Sequence, residues 1–291
     1  MNPASSQPEG GAVPLRTRIL TSPGQPGLEL IEAEAAGGAD APTLLCVHGA
    51  FAGAWCWAEH FLPFFGRRGY RAAAVSLRGH GGSEGRDELR RAGLDDLMGD
   101  ISRAIAAMQS PPVVIAHSLG GYLAQLLIGR VPMRGLVLVG SLPPDGMALV
   151  GPRLAVTEPR IWTEAVTATV ANAKTPIDMA GIELLFGEGL PREQALRYAA
   201  RLIPESPRAL GEAHLPRPVL SAFAAGLPTL VLNGAVDRLV WPATAARTAL
   251  YHGADQQLFE AGGHFLMLDP CAEAAACHLL DWLGTQGLRA G

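Results

Sequence analysis

Apolar residues along this chain fall into two alternating patterns. The first is a set of short runs in which nearly every residue is apolar: Thr43–Val47, Ala72–Leu77, Val113–Ala116, Gly135–Gly140 and Thr229–Asn233. Runs of four to six residues with no polar alternation suit strands buried on both faces. Gln256–Glu260 is a weaker final strand, and Arg16–Thr21 and Leu28–Ala35 read as an edge hairpin joined by a Pro-Gly turn over Ser22–Gly27. The second pattern is helical. Leu94, Leu97, Met98, Ile101, Ile105 and Met108 recur three and four apart and share one face, with Asp95 or Asp96 to cap the start and Pro111 and Pro112 beyond the end. Leu119–Gly129 is apolar nearly all round and predicts a buried helix. Pro242 opens another that reaches Tyr251, and Pro270 opens the last, through Leu283. Strands alternating with helices predict an α/β fold with a mostly parallel sheet covered by helices.

Residues 142–215 break that rhythm. Eight prolines fall there, helical patterns lie over Ile161–Ala173 and Pro191–Ile203, and no strand pattern is present. The expected organisation is a core of residues 16–141 and 216–291, a helical insertion at 142–215 and a disordered tail at 1–15.

Composition narrows the partners. Of 291 residues, 48% are apolar and 17% charged, enough to bury a sizeable core. Gly (35) and Pro (23) make up about one residue in five, as many sharp connections would require. The net charge of −4, with no long basic run, argues against nucleic acid as the main partner. The four cysteines, Cys46, Cys56, Cys271 and Cys277, lack the spacing of a zinc ribbon or a CxxC redox site; buried, reduced thiols and a cytoplasmic location are expected. The N-terminus carries no basic region followed by an apolar one, and no 18-residue apolar run suggests a membrane span. No sequence pattern calls for a metal or another cofactor.

The candidate chemistry centres on Val114-Ile115-Ala116-His117-Ser118-Leu119-Gly120-Gly121. A strand runs into a small-x-Ser-x-Gly turn and then into an apolar helix, the context of a nucleophile elbow. Ala116 stands where glycine is more usual. A second strand ends in His48-Gly49 and a loop with Gly53, Trp55 and Trp57. An acyl-transfer site needs two backbone N–H groups aimed at the developing oxyanion. Leu119, after the nucleophile, would supply one, and Ala50 the other, with Phe51 as the alternative. The base is expected late in the chain, at His264 in the Gly-rich loop after the last strand; His48 and His80 read as braces for their loops. Asp237, just past the strand Thr229–Asn233, is the favoured acid, with Asp145 as its rival.

With these residues in place, the sequence resembles the α/β-hydrolase fold superfamily. His48-Gly49 is similar to its oxyanion loop, Arg78-Gly79-His80-Gly81-Gly82-Ser83 to its Arg-Gly-x-Gly-x-Ser turn, Ala116–Gly120 to its elbow, and Asn233–Asp237 and Gly263-His264 to its acid and base segments. The insertion sits where that superfamily carries a cap, and His48–Trp57 also resembles the loop of plant-type esterases and hydroxynitrile lyases. The resemblance implies a Ser118-His264-Asp237 triad working through an acyl-enzyme, and the apolar insertion favours carboxylic esters of small to medium apolar acyl groups as substrates. C–C bond hydrolysis, a lyase reaction and a ligand-binding receptor are the alternatives. A small-molecule ester is the expected partner of a monomer or homodimer. Phe51, Trp55, Trp162, Leu184, Leu185 and Phe186 are candidate pocket residues.

Overall fold

The computed structural model describes residues 13–35, 42–160, 162–163, 166–167 and 185–289. Eight strands form one sheet: β1 (Leu15–Ser22), β2 (Gln25–Ala33), β3 (Leu44–Val47), β4 (Ala72–Val75), β5 (Val113–His117), β6 (Gly135–Val139), β7 (Thr229–Gly234) and β8 (Asp255–Phe259). Their order across the sheet is β1-β2-β4-β3-β5-β6-β7-β8. The β1–β2 and β2–β4 pairs are antiparallel and the other five pairs parallel. Crossovers therefore place helices on both faces, and the inner strands are buried throughout.

The two faces build two cores. Along β3, Leu44 and Cys46 point to one side, with Trp57, Phe61, Phe65 and Leu279. Leu45 and Val47 point to the other, with Leu94, Ile101 and Leu123. This alternation is the period of two that a strand imposes. The covering helices are α1 (Trp55–Ala58), α2 (Phe61–Arg67), α3 (Leu94–Ala106), α4 (Ser118–Leu126), α8 (Pro242–His252) and α9 (Ala272–Thr285). Between β6 and β7 lie α5 (Val150–Thr157), α6 (Arg192–Ala199) and α7 (Pro207–Ala213).

The sheet and its flanking helices match the expected α/β architecture, with several local differences. The stretch read as a loop after His48-Gly49 winds into α1 and α2, because Trp57, Phe61, Leu62 and Phe65 pack under the sheet. The cap of α3 is Gly93, and Asp96 accepts its N–H from the third helical position at 2.9 Å. Asp95 turns outward to Arg217. The last helix begins at Ala272, two residues past Pro270. Cys46 and Cys56 are buried, but Cys271 and Cys277 are half-buried. In the insertion the described helices fall at α5, α6 and α7; most of the expected helix Ile161–Ala173, Leu184 and the first twelve residues lie outside the described residues. Among the described residues, no helix is long and apolar enough to cross a membrane.

Candidate active site

β5 ends at His117 and α4 begins at Ser118 with no intervening residue. The chain makes that turn by putting Ser118 in the left-handed region, φ 49°, a conformation that costs a non-glycine residue about 1–2 kcal/mol. Ser118 is 9% exposed, so its hydroxyl meets a cavity and not bulk water. The close approach that the elbow demands is visible at Gly120, where a Cβ would lie 2.2 Å from the His48 carbonyl oxygen.

The late loop brings His264 to Ser118 across 146 positions of sequence. The serine hydroxyl donates to His264 Nε2 at 3.0 Å, and His264 Nδ1–H donates to Asp237 Oδ2 at 3.0 Å. A carboxylate only accepts, so it fixes the tautomer that leaves Nε2 free to take a proton. Asp237 is itself held, since its other oxygen accepts the N–H groups of Leu239 and Val240, both at 2.9 Å. The rival acid is elsewhere: Asp145 forms a two-pronged pair with Arg247.

Ala50 and Leu119 both line the cavity that Ser118 meets. Leu119 lies in the first turn of α4, where an N–H has no partner within the helix. Among the described residues, the N–H of Ala50 makes no hydrogen bond, and neither does that of Phe51. The loop passes close to the nucleophile, for a Cβ on Gly49 would lie 2.7 Å from Ser118 Cβ. His48 and His80 sit behind it, not over Ser118. His48 Nδ1–H donates to the Gly49 carbonyl at 2.7 Å, and its Nε2 accepts from the Leu77 N–H at 3.0 Å. Burial and the neighbouring His80 push His48 down to a pKa of about 3, so its imidazole is neutral.

The cavity over Ser118 holds about 320 Å³. Its walls come from the loop after β3 (Phe51), the segment between β6 and β7 (Leu154, Trp162, Leu185, Leu210) and the loop after β7 (Leu239). No Asp, Glu, Lys or Arg lines it among the described residues. Trp55 is buried beside Tyr198 and Arg201, away from these walls. Phe186 packs on Tyr198 and Phe265 behind Leu185.

Three side chains at the site escaped the sequence reading. His117, directly before Ser118, packs its ring at a tilt against that of His264, with centroids 4.6 Å apart, and donates Nε2–H to the His264 carbonyl. Burial and the neighbouring His264 hold its pKa well below the usual value. Asp269 accepts the N–H groups of Gly187 and Gly263 at 2.8 and 2.7 Å, tying the insertion to the base loop. Glu205, 3% exposed, reaches His80 from the insertion. An acidic residue between Pro204 and Pro207 carries no local signal of such a contact; only the fold supplies it.

Comparison with known proteins bears on the whole arrangement. A search of curated proteins returned no match. Among solved structures, an esterase from Thermogutta terrifontis is 20% identical, with a TM-score of 0.64 over 93% of this chain and 99% of that one. The enol-lactonase from Burkholderia xenovorans LB400 is 18% identical, with a TM-score of 0.66 over 92% and 100%. A haloalkane dehalogenase loop variant from Bradyrhizobium elkanii is 21% identical, with a TM-score of 0.68 over 94% and 98%. At these identities the likeness is one of fold, and the three named activities differ. A model of the alpha/beta hydrolase family matches residues 44–276, from the first strand of the parallel sheet into α9. The chain belongs to the alpha/beta hydrolase family.

Proposed function

We propose that the protein is a serine hydrolase that cleaves neutral carboxylic esters of small to medium apolar acyl groups. The observation that carries this reading is the unbroken chain from Ser118 through His264 to Asp237, with both links at 3.0 Å, opening into an apolar cavity. His264 Nε2 takes the serine proton as Ser118 Oγ attacks the ester carbonyl. Asp237 stabilises the imidazolium that forms. The oxyanion receives the N–H groups of Ala50 and Leu119. His264 then protonates the leaving alkoxide, and the acyl-enzyme is released when the same nitrogen activates water.

The walls set the substrate class. A cavity of about 320 Å³ is near the lower end of the roughly 300–1,000 Å³ usual for small-molecule sites. The absence of Asp, Glu, Lys and Arg from its walls among the described residues favours a neutral acyl chain. The insertion serves as a lid over the carboxyl end of the sheet, with Phe51 and Trp162 against the substrate. Haloalkane chemistry, the activity named for one structural neighbour, needs a carboxylate nucleophile, and position 118 is serine.

The test is a panel of p-nitrophenyl esters from acetate to decanoate, with thioesters, lactones and β-diketones, run on the wild type and Ser118→Ala. Turnover of short and medium esters, abolished in the variant, is expected. Turnover of diketones alone would replace ester hydrolysis with C–C cleavage.

A further inference from the structure

The insertion meets the neighbourhood of Ser118 at two points that the proposed chemistry does not use, one on the loop after β3 and one on the turn after β4. One is a backbone bond, Ile203 N–H to the Phe51 carbonyl at 2.8 Å. Phe51 is held there with φ 67°, the only described non-glycine residue besides Ser118 in the left-handed region. The other is a buried pair of charges. His80 Nε2 lies 3.2 Å from Glu205 Oε2, and the two side chains are 0% and 2% exposed.

The partners constrain where the protons lie. His80 Nδ1 faces the Arg78 carbonyl at 3.0 Å, and a carbonyl only accepts, so Nδ1 carries a hydrogen. If Nε2 were then bare, its lone pair would face a carboxylate oxygen. In spite of its burial, the neighbouring His80 holds the Glu205 carboxyl below its usual range, so Glu205 is ionised and the hydrogen lies on Nε2. The N–H is not well aimed at the oxygen, so this contact is an ion pair more than a directed hydrogen bond. Glu205 Oε1 is oriented separately, accepting the N–H of Ser206 at 2.7 Å. The Ser206 hydroxyl in turn donates to the Ala92 carbonyl at 2.6 Å. The carboxylate is thus anchored on the core as well as on its own segment.

The His80 ring packs against His48, with centroids 4.9 Å apart. His48 Nδ1–H holds the Gly49 carbonyl, and that carbonyl belongs to the same planar peptide group as the N–H of Ala50. Fixing the oxygen fixes the plane, and a trans peptide sends the N–H to the opposite side. Tilting the plane swings the Ala50 donor away from the oxyanion position. A cation beside His48 also keeps His48 neutral, the state in which Nε2 accepts from Leu77 while Nδ1 donates to Gly49.

We propose that Glu205 is a positioning residue for the oxyanion loop, acting through His80 and His48 on the Gly49–Ala50 peptide, so that oxyanion stabilisation depends on the insertion being seated. This rests on the reading of Ala50 as an oxyanion donor.

The experiment compares wild type, Glu205→Gln and Glu205→Asp by steady-state kinetics on a p-nitrophenyl ester. It adds inhibition by an alkyl trifluoromethyl ketone, which captures the serine as an oxyanion-bearing adduct, and by a non-reactive alcohol of the same chain length. Removal of a whole oxyanion donor costs about 10²–10³ in kcat, so a misaligned one is expected to cost about 10-fold or more in Glu205→Gln, with KM within about twofold. The ketone weakens by the same factor and the alcohol does not. Glu205→Asp, which keeps the charge, recovers part of the loss and carries the same comparison if Glu205→Gln does not fold. Unchanged kcat and ketone affinity would overturn the proposal, as would a loss shared equally by ketone and alcohol. A wild type that neither turns over esters nor binds the ketone would instead remove the hydrolase reading beneath it.

Discussion

Ser118 is set apart from the other serines by its neighbours, not by its type. Its backbone is forced into φ 49°, its hydroxyl has the His264 imidazole as acceptor, and the N–H groups of Ala50 and Leu119, without a partner among the described residues, belong to the walls of the same cavity. Asp237 supports the imidazole from a position 1% exposed, where two backbone N–H groups keep it in place. Asp237→Asn would leave the shape intact but present the wrong hydrogen-bonding pattern to His264 Nδ1. It is expected to lower kcat by about 10⁴, as the same change does in a serine protease. Asp145→Asn breaks only a partly exposed pair with Arg247, worth about 0–1 kcal/mol, and should leave kcat within about twofold. Kinetics of the two variants side by side check the assignment, and the reverse ranking would transfer the acid role to Asp145.

At the scale of elements, the insertion and the base loop are joined. Leu185 accepts the N–H groups of both His264 and Phe265, and Ala261 accepts that of Glu188. The crossing is so close that a Cβ on Gly187 would lie 2.0 Å from the Ala261 carbonyl oxygen. Gly187→Ala is therefore expected to displace His264 and lower kcat at least about 10-fold, together with a fall in the melting temperature. An unchanged kcat would show that the base loop holds itself. Asp269 joins the same two segments. Burial raises its carboxyl to about 6, only partly offset by the N–H bonds from Gly187 and Gly263. Its unfolded value is about 3.9, so the folded protein holds this proton more tightly. The stability it contributes is full below about pH 4 and is lost as the pH rises through 6. A shift of about two units corresponds to about 3 kcal/mol. Asp269→Asn does not ionise there, so unfolding free energies measured in urea should move in the variant's favour by about that amount between pH 4 and 7; a constant difference would refute the linkage.

Elements also show what was legible beforehand and what was not. Strands such as Val113–His117 stood out because burial on both faces demands an unbroken apolar run. Ser118 and Asp237 stood out because each follows such a strand, and His264 because it sits in the Gly-rich loop after the weaker final one. The helices α1 and α2 did not, since Trp55–Ala58 is too short to show a period and Gly53, Pro63 and Gly66 flank or interrupt the apolar positions. Asp269 and Glu205 act on segments 82 and 125 positions away in sequence, and no local pattern encodes such contacts.

For the whole molecule, two apolar cores sandwich the sheet, and the cavity lies where its carboxyl edge meets the insertion. The low charge of the chain is carried through to that cavity, and this sets its selectivity. Among the described residues no Lys or Arg lines the cavity to pair a carboxylate on the acyl chain, and burying an unpaired charge costs several kcal/mol. At about 1.4 kcal/mol per tenfold, kcat/KM for p-nitrophenyl hemisuccinate should fall at least about 100-fold below that for the pentanoate. Equal rates would show that the substrate lies outside the apolar cavity.

The central claim is that Ser118 is the nucleophile. Its most direct measurement is mass spectrometry of the wild type and Ser118→Ala after exposure to a fluorophosphonate. One adduct, mapped to Ser118 and absent from the variant, is the predicted result. An unmodified wild type, or an adduct that persists in Ser118→Ala, would contradict it.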